Sequence, residues 1–216
     1  MIKVLVVDDD PLVRGGLRLM LGGATDVEVV GEAADGAEVS DAVSRLSPDV
    51  VLMDVRMPVL DGITATAAVG KRTGGPAPAV VMLTTFDADE TVLAALRAGA
   101  AGFLLKHTPP EQIVDAVRRA AAGEPVLSPD VARTVIAMAA RQGPDPGAAK
   151  TRMDLLTERE RQVADAVAEG LNNAEIAERL HLSRSSIKAT ISSALTRLGL
   201  TNRIQLAIVA HEAGRT

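Results

Sequence analysis

Apolar positions along the chain follow two rhythms. Runs of strand length at Lys3–Val7, Val27–Val30, Val50–Met53, Ala79–Leu83 and Phe103–Leu105 are nearly continuous, and each ends at polar or glycine residues. Between them, Val39, Ala42, Val43 and Leu46, and later Ile113, Val117, Ala120 and Ala121, recur at helical spacing along one face. Strand and helix thus alternate five times. A strand with no polar face needs cover on both sides, so the pattern predicts a doubly wound α/β domain over residues 1–122, a five-stranded parallel sheet with right-handed crossovers. After Gly123 the strand runs stop. Ser128–Gln142 reads as one helix with a Ser-Pro start, and Gly143-Pro-Asp-Pro-Gly147 interrupts it, which predicts a linker with a Gly/Pro hinge over residues 123–152. Residues 153–216 carry four short helical patterns: Glu158–Glu169, Ala174–Leu180, Arg184–Leu198 and Arg203–Glu212. Gly170-Leu-Asn-Asn closes the first and caps the second, while His181-Leu-Ser183 is a short turn whose serine can cap the third. That punctuation predicts an all-α, four-helix domain containing a helix-turn-helix.

Composition narrows the partners. The 216 residues are 47% hydrophobic and 24% charged, with net charge −5, which excludes a disordered or collagenous chain. No stretch approaches the roughly 18 uninterrupted apolar residues of a membrane span, so no membrane is expected. The absence of cysteine excludes disulfides, thiolate catalysis and thiolate-bound metals. Asp8, Asp9 and Asp10 stand where a signal peptide would have its apolar core, which makes the cytoplasm the expected location. Phe86 and Phe103 are the only aromatics, a poor basis for stacking on single-stranded nucleic acid or for an aromatic small-molecule pocket. Charge divides at the same boundary as the rhythm: 11 basic against 17 acidic residues over 1–122, and 12 against 11 over 123–216. From Leu180 through His211 there is no acid, while Arg184, Lys188, Arg197 and Arg203 are basic; a merely solvated face would mix signs.

Ligands of doubly wound sheets bind beyond the carboxyl ends of the strands. Asp8 and Asp9 close the first strand and Asp54 the third; if those strands are neighbours, three carboxylates converge and need a hard divalent cation, Mg²⁺ above all. Thr84 ends the fourth strand and Lys106 follows the fifth, adding a hydroxyl and an ammonium to the same rim. The set suits a phosphoryl group, with Asp54 as nucleophile, the metal and Lys106 neutralising oxygens, and Thr84 as a hydrogen-bond donor. Taken singly, each residue has a plainer role: a helix cap for Asp8–Asp10, a surface cation for Lys106, a backbone partner for Thr84. Their joint placement at strand ends favours the phosphoryl site.

Val7-Asp-Asp-Asp-Pro11, Val51-Leu-Met-Asp-Val-Arg-Met-Pro58 with Asp61-Gly62, Met82-Leu-Thr-Thr85 and Gly99-Ala-Ala-Gly-Phe-Leu-Leu-Lys106 resemble the receiver domain of two-component response regulators across residues 1–122. The resemblance implies a flavodoxin-like strand order 2-1-3-4-5. It also implies Asp54 as acceptor of a phosphoryl group from a sensor histidine kinase, Mg²⁺ held by Asp8, Asp9, Asp54 and the backbone carbonyl of Arg56, and Thr84 and Lys106 on the phosphoryl group. Phe103 would be an aromatic switch that turns inward on activation; its plainer role is that of a buried strand-end aromatic. Such a protein is no enzyme beyond its own phosphotransfer and slow dephosphorylation.

Leu156-Thr-Glu-Arg-Glu160, Gly170-Leu-Asn-Asn-Ala-Glu-Ile-Ala-Glu-Arg-Leu180 and Leu182-Ser-Arg-Ser-Ser-Ile-Lys188 resemble the LuxR-type helix-turn-helix of the NarL/FixJ regulators. On the third helical pattern Ile187, Ile191, Leu195 and Leu198 form an apolar stripe. The other face, with Arg184, Ser185, Lys188, Ala189, Ser192 and Ser193, is small, basic and hydroxylated, as entry into the major groove of double-stranded operator DNA requires. Lys188 is expected at a base edge or phosphate, and Ser185, Ser186, Thr190 and Arg203 along the DNA backbone. Where the family usually has histidine and a second lysine, this chain has Thr190 and Ser192, so phosphate anchoring is weaker and binding leans on a homodimer formed on activation. A plain helical capping domain is the competing structural reading. Among functions, a phosphatase or phosphomutase of the haloacid-dehalogenase type fits Asp8-Asp9-Asp10 on the first strand, yet lacks its late acidic pair and leaves Asp54 and the helix-turn-helix idle.

Overall fold

The computed structural model describes residues 1–70, 77–85, 89–127 and 146–214. The helix expected over Ser128–Gln142, residues 143–145 of the expected hinge, and Phe86 lie outside the described residues. The chain divides into two compact units.

The first is a parallel sheet flanked by helices. Its strands are β1 (Ile2–Val7), β2 (Val27–Ala33), β3 (Val50–Asp54), β4 (Ala79–Thr84), β5 (Gly102–Leu105) and β6 (Val126–Leu127), arranged in space as β2-β1-β3-β4-β5-β6. The order 2-1-3-4-5 implied by the resemblance is present, and a two-residue sixth strand extends it beside β5. Two residues give no periodicity, which is why β6 escapes a reading by pattern. Asp10 caps α1 (Pro11–Gly22) by accepting the Leu12 N–H at 2.8 Å, with Pro11 in the first turn, where its missing N–H costs nothing. The other helices are α2 (Val39–Leu46), α3 (Gly62–Gly70), α4 (Asp89–Ala98) and α5 (Pro110–Ala121), with a 3₁₀ turn at Gly36–Glu38. Val4, Val6, Leu52, Val81 and Leu83 pack with Leu17 and Leu21 of α1 and Ile113 and Val117 of α5 into one core. The alternate residues Leu5, Val51, Met53 and Met82, which the pleat turns to the opposite face, are just as fully buried. Burial on both faces accounts for the unbroken apolar strands.

In sequence order β1 and β3 are separated by β2, yet in space they are neighbours, with Val4 opposite Val50 and Val7 opposite Met53. This pairing sets the end of β1 beside the end of β3.

The second unit is helical: α6 (Pro146–Met153), α7 (Glu158–Ala168), α8 (Asn173–Arg179), α9 (Arg184–Leu198) and α10 (Arg203–Ala213). Pro146 and Gly147, expected to finish the hinge, instead open α6. Proline is at home both in a hinge and in the first turn of a helix, so the residue type does not separate the two. Thr157 and Glu160 form a reciprocal capping box on α7, as do Asn172 and Glu175 on α8. Val163, Ile176, Ile187, Ile191, Ala194, Leu198 and Leu206 close a common core. On α9 fully buried Ala194 takes a central place, whereas Leu195 is only partly buried. No helix among the described residues is long and apolar enough to cross a membrane.

Candidate functional site

The rim of the sheet collects the expected side chains. Asp8 follows β1 and is fully buried, Asp54 ends β3 at 6% exposure and Thr84 ends β4 at 7%. Asp9 is exposed beside them. Carboxylate oxygens of Asp8, Asp9 and Asp54 lie within 4.8 Å of one another. Lys106, just beyond β5, places Nζ 2.7 Å from Asp8 Oδ2 and 3.1 Å from Asp54 Oδ2. Its backbone N–H donates to the Thr84 carbonyl at 2.7 Å, so the lysine and threonine strand ends are tied together. Asp10 caps α1, the plain role expected of the acidic triplet.

Burial pushes the Asp54 carboxyl above the usual carboxylate range, and the nearby charge of Asp8 adds to that, against the hydrogen bond and charge of Lys106 and the Val55 N–H. Burial alone would lower the Lys106 ammonium, but its bonds to Asp8 and Asp54 outweigh that and raise it. Asp8 Oδ1 accepts the Asp10 N–H at 3.0 Å. Asp8 Oδ2 is buried, with the Lys106 ammonium 2.7 Å away. Three carboxylates that offer hard oxygen donors within 4.8 Å of one another fit a divalent cation such as Mg²⁺.

Arg56 stands two residues beyond Asp54 with its side chain exposed, in the loop where its backbone carbonyl is expected to serve. Phe103 is completely buried in β5, opposite Met82 of β4, so the ring already faces the interior. Two residues supporting this rim have no signal in the sequence pattern. Arg14 donates to the Asp8 carbonyl at 2.7 Å and ion-pairs with Glu32 at 3.3 Å, bracing the loop that carries two carboxylates. Asp35 accepts the backbone N–H groups of Val59 and Leu60, in the loop after Asp54. The dipeptide Asp35-Gly36 is a turn signal, but nothing in a single sequence says which distant backbone it will hold.

In the helical unit, Ser183 caps α9 by accepting the Ser186 N–H at 3.1 Å, and Gly199 ends it at φ +63°, where a side chain is disfavoured. Arg184, Ser185, Ser186, Lys188, Ala189 and Ser192 are exposed on α9, and Thr190 is half-buried. The hydroxyls of Thr190 and Ser192 bond back to the carbonyls of Ser186 and Lys188, at 2.9 and 3.0 Å. Arg203 departs from expectation. Its side chain is buried, with the guanidinium hydrogen-bonded to the Leu171 carbonyl and to Asn173, so it ties the start of α10 to the turn before α8 and is not free to reach a phosphate. Charge count alone does not distinguish a buried clamp from an exposed cation. Glu160, also unanticipated as an anchor, accepts the Ser193 hydroxyl at 2.6 Å and pairs with Arg197 Nε at 3.0 Å, fastening α9 to α7. The Ser193 hydrogen bond, before the Thr157 contacts and the Arg197 charge, holds the Glu160 carboxyl down to about 2 despite burial.

Comparison with known proteins gives the same partition. Residues 4–118 match the response regulator receiver domain, and residues 154–210 match the bacterial regulatory proteins of the luxR family. The transcriptional regulatory protein LiaR of Bacillus subtilis (strain 168) is 38% identical over 211 residues, covering 98% of this chain and 97% of LiaR. The crystal structure of the response regulator ChrA of a heme-sensing two-component system shares 34% identity at a TM-score of 0.53, over 99% of this chain and 98% of ChrA. A structure of two RcsB dimers bound to two parallel DNAs shares 26% identity at a TM-score of 0.56, over 100% and 99% of the two chains. With a buried acidic rim in one unit and a helix-turn-helix in the other, the chain belongs to the two-component response regulators that join a receiver domain to a LuxR-type DNA-binding domain.

Proposed function

We propose that Asp54 accepts a phosphoryl group from a sensor histidine kinase in a Mg²⁺-dependent reaction, and that this shifts the protein towards a homodimer competent for operator binding. The observation that carries the reading is the bridge from Lys106 to both Asp8 and Asp54 at a rim where three carboxylates meet. An oxygen of Asp54 attacks phosphorus, the P–N bond of the phosphohistidine breaks, and the imidazole leaves with the electron pair. Mg²⁺ would be held by Asp8, Asp9, Asp54 and the Arg56 carbonyl, and would supply charge neutralisation for the phosphoryl oxygens. Lys106 gives a fixed positive charge to the same oxygens once the acyl phosphate forms, and Thr84 donates its hydroxyl. Phe103 is the aromatic whose packing reports the state of the rim.

At the other end of the chain, α9 enters the major groove. Lys188 reads a base edge, and Arg184, Ser185, Ser186, Ala189, Thr190 and Ser192 line the approach to the phosphates and groove floor. Arg203 is left out of this surface because its guanidinium is committed internally. The protein acts in the cytoplasm, where kinase and chromosome are both accessible, a reading that the pairing of a receiver with a LuxR-type domain supports. The phosphoacceptor function belongs to residues 1–122, whose sheet β6 extends, and the DNA-binding function to residues 153–216, which α6 leads into.

Labelling tests the first step. Incubated with acetyl phosphate and Mg²⁺, the wild-type chain gains one phosphoryl group by intact mass, and Asp54→Asn gains none. Labelling of that variant at wild-type stoichiometry contradicts the assignment.

A further inference from the structure

Asp35 lies at the turn between β2 and the 3₁₀ segment, well away in sequence from the acidic rim, and it is 9% exposed. Its carboxylate accepts three backbone N–H groups. Oδ1 takes Ala37 at 2.9 Å, which caps its own turn, and Leu60 at 3.0 Å; Oδ2 takes Val59 at 2.9 Å. Two of the three therefore cross to the loop that leaves Asp54. That loop has an exposed tip, with Val59 at 80% exposure.

Glycine makes the approach possible on both sides of the loop. A Cβ at Gly36 would collide with the Leu60 carbonyl oxygen, and one at Gly62 with the Asp54 carbonyl oxygen. Both obstacles are backbone, which cannot swing aside as a side chain can. Between these two contacts the chain runs from Asp54 through Val55, Arg56 and on to Gly62, and Gly62 N–H closes it by donating to the Val55 carbonyl at 3.0 Å. The backbone of the loop is thus held at its far end by a carboxylate from another turn and at its near end by the strand that carries the nucleophile.

We propose that Asp35 is a positioning residue for the cation and phosphoryl centre, setting the backbone of residues 55–60 so that a carbonyl in it can join Asp8, Asp9 and Asp54 around a divalent ion. The inference rests on the phosphoryl reading of the rim. Asp35 touches neither metal nor phosphoryl group; it acts through the loop. A carboxylate suits the task because it accepts at both oxygens, and three N–H groups converge on it. An amide offers one accepting oxygen and one donating nitrogen, so Asp35→Asn sets a donor against a donor at Val59 or at the Ala37 and Leu60 pair.

Mg²⁺ titration by calorimetry on the full chain is the test, with amide exchange of the Val59 to Leu60 peptide recorded alongside. Changes to residues that orient metal ligands commonly weaken affinity by 10–100-fold, so Asp35→Asn is expected to raise the Mg²⁺ dissociation constant about tenfold and to speed exchange in that peptide. At saturating Mg²⁺ its acetyl phosphate labelling returns to the wild-type maximal rate, since the nucleophile and Lys106 are untouched. Arg118→Ala, which breaks the ion pair to Asp26 far from the loop, controls for general destabilisation and leaves Mg²⁺ affinity unchanged. An Asp35→Asn titration that overlays the wild type overturns the inference, as does an equal weakening in Arg118→Ala. A wild-type chain that takes up no Mg²⁺ overturns the functional reading and this inference with it.

Discussion

Lys106 is placed to serve stability and, in the proposed phosphoryl transfer, chemistry. Its ammonium lies 2.7 Å from a fully buried Asp8 oxygen and 3.1 Å from Asp54, so it offsets charges that would repel across the gap between β1 and β3. Replacing it with alanine removes the fixed positive charge expected to neutralise phosphoryl oxygens. Lys106→Ala should slow acetyl phosphate labelling of Asp54 by roughly 10²–10³-fold, the loss typical of removing one such stabilising group, measured by intact mass at saturating Mg²⁺. Glu160 plays the corresponding part in the helical unit. Its folded carboxyl is depressed from 4.5 to about 2, so it contributes stability that is fully present above pH 4.5 and is lost as pH falls towards 2. Amide exchange in peptides of α7 and α9 should therefore accelerate across that window. In Glu160→Gln the exchange is already faster at neutral pH and changes less between pH 4.5 and 2; equal pH dependence in both proteins contradicts the anchoring role.

Elements divide sharply into those written locally and those written by contact. A methyl group added at Gly15 of α1 would meet nothing within 4 Å, whereas one added at Gly62, at the start of α3, would collide with the Asp54 carbonyl. Gly15→Ala is expected to stabilise the receiver by up to about 1 kcal/mol through helix propensity, and Gly62→Ala to destabilise it and depress labelling; urea unfolding followed by circular dichroism reads the stabilities, and intact mass the labelling. All five long strands are legible in the sequence pattern, because burial on both faces leaves unbroken apolar runs, and both ends of α9 are legible because Ser183 and Gly199 punctuate them. The pattern also puts Asp8, Asp9, Asp54, Thr84 and Lys106 at strand ends, while the neighbouring of β1 and β3 that brings the carboxylates together follows from the implied strand order and not from the pattern. It misses β6, which is two residues long, and it reads Pro146-Gly147 as the end of a hinge where α6 begins. Asp35, Glu160 and the clamp made by Arg203 are invisible for a different reason. Their partners on other elements lie 24 to 37 residues away, and no periodicity encodes a contact across such a separation.

At the scale of the whole molecule, two units of different charge share a chain, one suited to phosphoryl chemistry and the other to DNA. The DNA side stands on α9: Lys188→Ala should cost on the order of 1–3 kcal/mol at the operator and relax one base position, whereas a phosphate contact would instead lower the salt slope by roughly 0.9. Competition binding with single-base operator variants at two salt concentrations separates the two, and unchanged affinity, slope and preference would remove α9 from the groove. The proposed coupling between the two units would be a population shift whose size is bounded by the difference in DNA affinity of two states. The most direct measurement is the affinity of the full chain for a genomic operator fragment in Mg²⁺, with and without beryllofluoride as a phosphoryl mimic. Coupling through Asp54 predicts that beryllofluoride tightens wild-type binding by roughly 5- to 150-fold, the usual range of such effects, and leaves Asp54→Asn unchanged. Equal affinity with and without the mimic, or the same gain in Asp54→Asn, would contradict it.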